Sequence, residues 1–168
     1  MAAQAWLAAH LERYRQALGG TEVVPQLLEL ARWLDETRAA GRKVICAGNG
    51  GSAAMASHVA VDLTKTAGIR SVTFNEADLI TCFANDYGYA HWLEKAIEAY
   101  GDAGDLAVLI SSSGKSPNML QAARAASAKG LTVVTLTGFA PDNPLRLLGR
   151  LNLWVDSRAY NIIEMTHH

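Results

Sequence analysis

The chain has 168 residues, of which 50% are hydrophobic and 18% charged, a composition typical of a globular protein that is long enough to bury a core. Its formal net charge of -1 gives no electrostatic reason to expect nucleic acid or an anionic membrane as a partner. No stretch approaches the ~18 apolar residues of a transmembrane helix, and the first residues lack the basic and apolar regions of a signal peptide. We therefore expect a cytoplasmic protein that binds neither nucleic acid nor membrane.

Two amphipathic helices are predicted before the first strand. The apolar face of the first contains Leu7, Leu11 and Leu18, and Thr21 is placed to cap a second helix that ends near residues 40–41. Two helices are more than one small sheet needs to cover its faces. We therefore expect this pair to pack against another subunit or to cover the edge of the sheet.

The rest of the chain alternates between strands and helices. The predicted strands are residues 43–47, 69–74, 106–110, 131–137 and 151–155. The predicted helices are residues 53–66, 77–84, 92–100, 118–129 and 145–148, with a last helix beginning at Asn161 and a turn at 85–88. This order predicts a three-layer α/β/α sandwich with a five-stranded, mostly parallel sheet. We expect one domain over 1–168, made of a helical pair (1–41) and the sandwich (42–168).

The third predicted strand ends in a turn suited to binding an anion. Three serines follow the apolar run 106–110, and Ser116 with Pro117 suits the N-cap and first position of a helix. Unpaired amides and the positive end of a helix dipole favour a phosphate there. A nucleotide-binding Walker loop is disfavoured because Leu109 stands where that motif needs a glycine. A small phosphate ester suits the turn better, and the alternative is a plain serine-rich turn with a good N-cap.

A second turn of this kind follows the first strand, at Gly48 to Ser52. Its glycines let the backbone approach a ligand closely, and Ser52 is predicted to be a helix N-cap. The stretch also satisfies the dinucleotide pattern, but that interpretation needs an acidic residue about 20 positions later, and Glu76 comes after that point. A nicotinamide-dependent oxidoreductase is therefore the least favoured of the functions considered for this sequence. We expect no nucleotide cofactor.

Three further groups of side chains could carry chemistry. His58 and Asp62 share a helix face, where they could bind a metal or act as acid and base, or form a partly buried histidine paired with a surface aspartate. The pair 85–86, Asn-Asp, could be a plain turn or could bind sugar hydroxyls. Cys46 and Cys82 lack metal-ligand spacing and are predicted to be buried, reduced thiols.

Several motifs in register over about a hundred residues carry a family resemblance. They are Gly48-Asn49-Gly50-Gly51-Ser52, His58 with Asp62, residues 82–88, residues 111–118, and Leu136-Thr137-Gly138. Together they resemble the sugar isomerase (SIS) domain family, and more narrowly the phosphoheptose isomerases. Those enzymes convert sedoheptulose 7-phosphate to a heptose 7-phosphate, which feeds the synthesis of heptose-containing glycans such as lipopolysaccharide.

The resemblance implies a homotetramer with its active sites at subunit interfaces. It implies an aldose–ketose isomerase that acts through an enediol, with Asp62 as acid/base and His58 as a metal ligand or second proton-transfer group. It implies a zinc ion held by His58, Asp62 and two residues of the last helix. The substrate-binding residues that it implies fall in two groups: Ser52, Ser111, Ser112, Ser113 and Ser116 for the phosphate side, and Asn49, Gly50, Gly51, Asn85 and Asp86 for the sugar side.

The sequence departs from the family pattern in the metal-binding half. Asp62 replaces a glutamate, Ile163 stands where a glutamine is expected, and neither His167 nor His168 falls in the register of the family's final histidine. A second hypothesis is therefore a non-catalytic SIS module that binds a sugar phosphate or a protein partner.

Overall fold

The structure is a computed structural model that describes residues 2–168. Within that range the strands form one sheet in the order β2-β1-β3-β4-β5, and each strand pairs in parallel with its neighbours. The strands are β1 Val44–Gly48, β2 Ser71–Val72, β3 Leu106–Ser111, β4 Thr132–Thr137 and β5 Leu151–Trp154. The apolar runs of β1 and β3 are buried along their whole length, as expected of central strands covered on both faces.

Helices cover both faces of the sheet, which confirms the predicted three-layer α/β fold. They are α1 Ala2–Leu18, α2 Val24–Ala39, α3 Gly51–Lys65, α4 Ala77–Tyr87, α5 Trp92–Tyr100, α6 Pro117–Ala128 and α7 Tyr160–His167, with a short 3-10 helix at Arg146–Leu148. One half of the core joins the sheet to α5 and α6 through residues such as Leu93 and Met119. The other half joins it to α2 and α3 through Trp33 and Met55.

A buried ion pair aligns β1 and β3 at the edge of the sheet opposite their carboxyl ends. The Asp105 carboxylate accepts hydrogen bonds from the backbone N–H of Lys43 at 3.0 Å and of Asp102 at 2.8 Å. Its second oxygen lies 2.6 Å from Lys43 Nζ, and the Asp105 side chain is only 1% exposed. The two strands therefore start in fixed register, and their carboxyl ends meet at one edge.

Two predicted helix caps are wrong. The second helix begins at Val24 with Val23 at the N-cap position, so Thr21 lies outside it. The third begins at Gly51 with Gly50 as N-cap, and Ser52 is a buried residue inside the helix. Gly50 adopts a φ of 56°, which glycine reaches without strain, so the helix begins two residues earlier than the predicted Ser52 cap indicates.

The second predicted strand is much shorter than expected, with only two of its six residues paired. After Val72 the chain turns away from β1, because Phe74 enters the core and the Asn75 amide donates hydrogen bonds to Ala53 O at 3.0 Å and Ser57 Oγ at 2.7 Å. Attachment to α3 thus replaces strand pairing.

The predicted turn at 85–88 is also wrong for most of its length. Helix α4 continues through Asn85 and Asp86 to Tyr87, and ends at Gly88, which has a φ of 83°. Cys82, on this helix, is exposed rather than buried, whereas Cys46 is buried in β1 as predicted. None of the helices within residues 2–168 combines the length and apolar character needed to span a bilayer.

Candidate active site

The two predicted anion-binding turns lie next to each other at the carboxyl edge of the sheet. β1 and β3 are neighbours, with Gly48 paired to Ile110. The chain leaves β1 into α3 and leaves β3 into α6, so two helix N-termini begin at the same edge. This position, outside the carboxyl ends of parallel strands, is where ligands bind in open α/β sheets.

A reciprocal pair of side-chain amides ties the two turns together. Asn49 Nδ2 donates to Asn118 Oδ1 at 3.0 Å, and Asn118 Nδ2 donates to Asn49 Oδ1 at 2.9 Å. Asn118 is 1% exposed. The Tyr89 hydroxyl donates to Asn49 Oδ1 at 3.3 Å from the segment between α4 and α5. The positions of the two turns are therefore coupled.

The serines of the second turn keep most of their hydrogen-bonding capacity. The buried Ser112 Oγ has no partner within residues 2–168, although most buried hydroxyls have one. Ser113 Oγ accepts a bond from the Lys115 backbone N–H at 3.3 Å. Ser116 occupies the N-cap position of α6 as predicted, but in the described part of the chain its hydroxyl makes no capping bond. This arrangement can donate several hydrogen bonds to an oxyanion.

Asn143 packs against the serine turn and holds the loop after β4, a role that no pattern in the sequence predicts. Its Nδ2 donates to Thr137 Oγ1 at 3.1 Å and to Ala140 O at 2.9 Å, and its Oδ1 accepts from the Arg146 N–H at 3.0 Å. A Cβ on Gly114 would overlap the Asn143 side chain. Gly114 is therefore needed both for this close approach and for its φ of 63°.

His58 and Asp62 lie on one face of α3, as their spacing predicts. His58 Nε2 is 3.4 Å from Asp62 Oδ2, and the two side chains are 56% and 63% exposed. The His168 ring lies beside His58, with ring centroids 4.9 Å apart. At about 1.5 Å per residue, His58 and Asp62 are ~9 and ~15 Å along the helix from Ser52.

The side chains around His58 and Asp62 do not form a complete metal site. Among residues 2–168 no group of three or more histidine, cysteine, aspartate and glutamate side chains could hold an ion. Ile163 is fully buried, and its Cδ1, Cγ1 and Cγ2 atoms would lie 2.5, 2.7 and 3.0 Å from a Cβ placed on Gly138. This residue fills space at the end of β4 with hydrocarbon and offers no ligand atom.

Asn85 and Asp86 lie at the exposed end of α4. Asn85 Nδ2 donates to Asp86 Oδ1 at 2.9 Å, and Asp86 Oδ2 lies 3.8 Å from Cys82 Sγ. Within the described residues neither side chain hydrogen-bonds to the two turns, and it is Tyr89 that makes this connection. The roles predicted for Asn85 and Asp86 stay predictions.

Comparison with known proteins identifies the family to which a chain with this fold and these turns belongs. The family model for the SIS domain matches residues 20–138. The chain therefore belongs to the SIS domain family.

Individual proteins that resemble the chain indicate where it lies within the SIS domain family. The chain is 37% identical to the phosphoheptose isomerase of Nitratidesulfovibrio vulgaris, over 93% of this chain and 75% of that protein. It is 35% identical to the phosphoheptose isomerase of Sodalis glossinidius, over 76% of this chain and 69% of that one. The structure of a phosphoheptose isomerase from Neisseria gonorrhoeae superposes with a TM-score of 0.90 and 30% identity, covering 98% and 93% of the two chains. Within its family the chain lies among the phosphoheptose isomerases, which are aldose–ketose isomerases.

Proposed function

We propose that this protein converts sedoheptulose 7-phosphate to D-glycero-D-manno-heptose 7-phosphate through an enediol. The observation that carries the proposal is the coupling of two strand-to-helix turns by Asn49 and Asn118 at one edge of the sheet. A site built this way can hold a phosphate at one turn and sugar hydroxyls at the other.

The phosphate half of the proposed site consists of the serines at 111, 112, 113 and 116. Ser52, which the family resemblance places with them, is buried inside α3 next to the glycine turn of the sugar half. The uncommitted Ser112 and Ser116 hydroxyls support the phosphate assignment, together with the N–H groups of the first turn of α6. Pro117 removes one N–H of that turn, but its fixed φ stabilises the start of the helix and so fixes the remaining donors.

The isomerisation moves one proton between neighbouring carbons. A base removes a proton from C1 of the ketose, and the enediol that forms receives a proton at C2 while a hydroxyl proton passes between the two oxygens. We assign the base to Asp62, with His58 as the partner that holds or exchanges the proton, because their side chains are in contact and accessible on α3.

Zinc does not form part of this proposal, because in residues 2–168 His58, Asp62 and the neighbouring His168 do not form a group that could hold an ion, and Ile163 offers no ligand atom. Dialysis against a chelator should leave turnover unchanged, and metal analysis of the purified protein should give less than one zinc per chain. Turnover that is lost on dialysis and restored by zinc would contradict this part of the proposal.

We also propose that the protein is a homotetramer. Apolar side chains of α1 and α2 are between 49% and 67% exposed in the single chain, namely Trp6, Leu7, Leu11, Leu18 and Leu28. A face of this kind is typical of a subunit interface. Sedimentation velocity should give the mass of four chains, and Leu11→Glu should reduce it, while the control Ala5→Glu, at an exposed position on another face of the same helix, should not. A monomeric wild type would contradict the tetramer.

The free thiols Cys46 and Cys82 are consistent with a cytoplasmic location, where thiols stay reduced. We propose that the product serves the synthesis of heptose-containing glycans such as lipopolysaccharide.

NMR detection of product formed from sedoheptulose 7-phosphate tests the main proposal. We expect Asp62→Asn to lower kcat by ~100-fold or more, as for the loss of an acid/base group, and Ser116→Ala to act mainly on KM. No turnover by a folded wild-type protein would refute the isomerase. Binding of the sugar phosphate without turnover would instead select a non-catalytic SIS module, the alternative that the apolar Ile163 favours.

A further inference from the structure

Glu164 brings a carboxylate against the glycine turn at the start of α3. A Cβ placed on Gly51 would lie 2.9 Å from Glu164 Oε2 and 3.1 Å from Oε1 and Cδ. Gly51 does not have a positive φ, so its backbone conformation would accept a side chain. A side chain at 51 would therefore have to displace the Glu164 carboxylate, which lies directly against the turn.

The Glu164 carboxylate is not used by the fold. In the described part of the chain it accepts no side-chain hydrogen bond and forms no ion pair, and its side chain has intermediate exposure. The three residues that precede it fix the orientation of α7. Ile162 and Ile163 are buried, and Asn161 Nδ2 lies 3.3 Å from the Tyr14 hydroxyl on α1. The carboxylate is thus held at the turn with its acceptor capacity free.

Because of this contact, the N-termini of α3 and α6 differ in how well they can bind an anion. The positive end of the α3 dipole already faces a carboxylate, and a second anion there would meet like-charge repulsion. The start of α6 has no acidic residue in its first turn and carries Lys115 and the serine hydroxyls. A phosphate is therefore favoured at α6, whereas hydroxyl groups, which can donate to a carboxylate, are favoured at Gly51.

We propose that Glu164 is a specificity-determining residue that orients the substrate. It accepts hydrogen bonds from the hydroxyls of a polyol and repels a phosphate from the start of α3, so the sugar phosphate binds in one direction only. The inference rests on the proposed function, because it concerns the same site.

Isothermal titration of the full chain with sedoheptulose 7-phosphate and, separately, with inorganic phosphate tests this role. Glu164→Gln should weaken sugar-phosphate binding by about tenfold, the loss expected for a charge-assisted hydrogen bond. The same change should tighten inorganic phosphate by about threefold or more, because one negative charge is removed from the site. A purely structural role would weaken both ligands together.

Two variants complete the design. Glu164→Asp keeps the charge but withdraws it by one methylene, so it should weaken the sugar phosphate and leave inorganic phosphate unchanged. Glu36→Gln removes an exposed charge on α2, far from the site, and should change neither ligand. Wild-type affinities in Glu164→Gln would overturn the inference. If the wild type binds the sugar phosphate without turnover, the isomerase proposal fails. The role of Glu164 is still decided in that case, because it predicts that Glu164→Gln weakens sugar-phosphate binding and tightens inorganic-phosphate binding.

Discussion

The amide pair between Asn49 and Asn118 should be a main source of coupling between the two turns. Asn118→Ala removes two hydrogen bonds, of 2.9 and 3.0 Å, from a buried position. At ~0.5–1.5 kcal/mol of net stability for each bond, the expected loss in the free energy of unfolding is about 1–3 kcal/mol. Asn49→Ala should cost a similar amount, because it breaks the same two bonds.

Urea denaturation of both single variants and the double variant measures the coupling directly. Since the bonds can be lost only once, the double variant should be more stable than the sum of the single effects predicts, by ~1 kcal/mol or more. Tyr89→Phe is the matched control, because it loses one exposed, 3.3 Å bond to the same amide and should cost less than ~0.5 kcal/mol. Single effects that add to within ~0.5 kcal/mol would refute the coupling.

The same variants should impair binding. If the turns act together on one sugar phosphate, Asn118→Ala should raise KM by about tenfold for each ~1.4 kcal/mol of binding energy lost. An unchanged KM in a destabilised variant would show that the pair serves folding alone.

Three further predictions concern stability. Gly138→Ala should destabilise the fold by ~1–3 kcal/mol in urea denaturation, because the new Cβ meets Ile163, and Ile163→Ala should reverse part of the loss; additive effects would contradict this. Burial lowers the pKa of His167 to about 4, below its value of ~6.5 in an unfolded chain. The free energy of unfolding should therefore fall as the pH drops from about 6.5 towards 4, and His167→Gln should flatten this dependence in denaturation curves measured across that range; an equally steep curve for the variant would refute the assignment. Asp105→Ala should cost ~1–3 kcal/mol in thermal or urea denaturation, because it leaves the buried Lys43 backbone N–H without its acceptor, whereas the Lys43 ammonium keeps Asp102 at 2.6 Å; a loss below ~0.5 kcal/mol would contradict that.

The parts of the fold that the sequence predicted are those with a strong local pattern. The apolar run in β3 and the periodic face of α5, at 92–100, could be read directly. The length of β2 could not, because pairing there is lost to the contacts of Asn75 with α3. The division into residues 1–41 and 42–168 stays a prediction.

The site shows the same distinction. The two turns carry glycines and serines in recognisable order, so their chemistry was predictable. The Asn49–Asn118 bonds join residues 69 positions apart, and the approach of Glu164 to Gly51 depends on how α7 packs against the end of the sheet. Such contacts arise only from the complete fold. At Ser52 a local pattern was misleading. The serine suits an N-cap, but the conformation of Gly50 starts the helix before it.

The brevity of β2 bears on how this protein can assemble. An outer strand normally presents a row of free amide and carbonyl groups that another chain can join, and this leads to sheet extension and aggregation. Here the row is two residues long, and Asn75 then directs the backbone onto α3. The edge therefore offers too short a row for sheet extension, and an oligomer formed on this side depends on side-chain contacts instead.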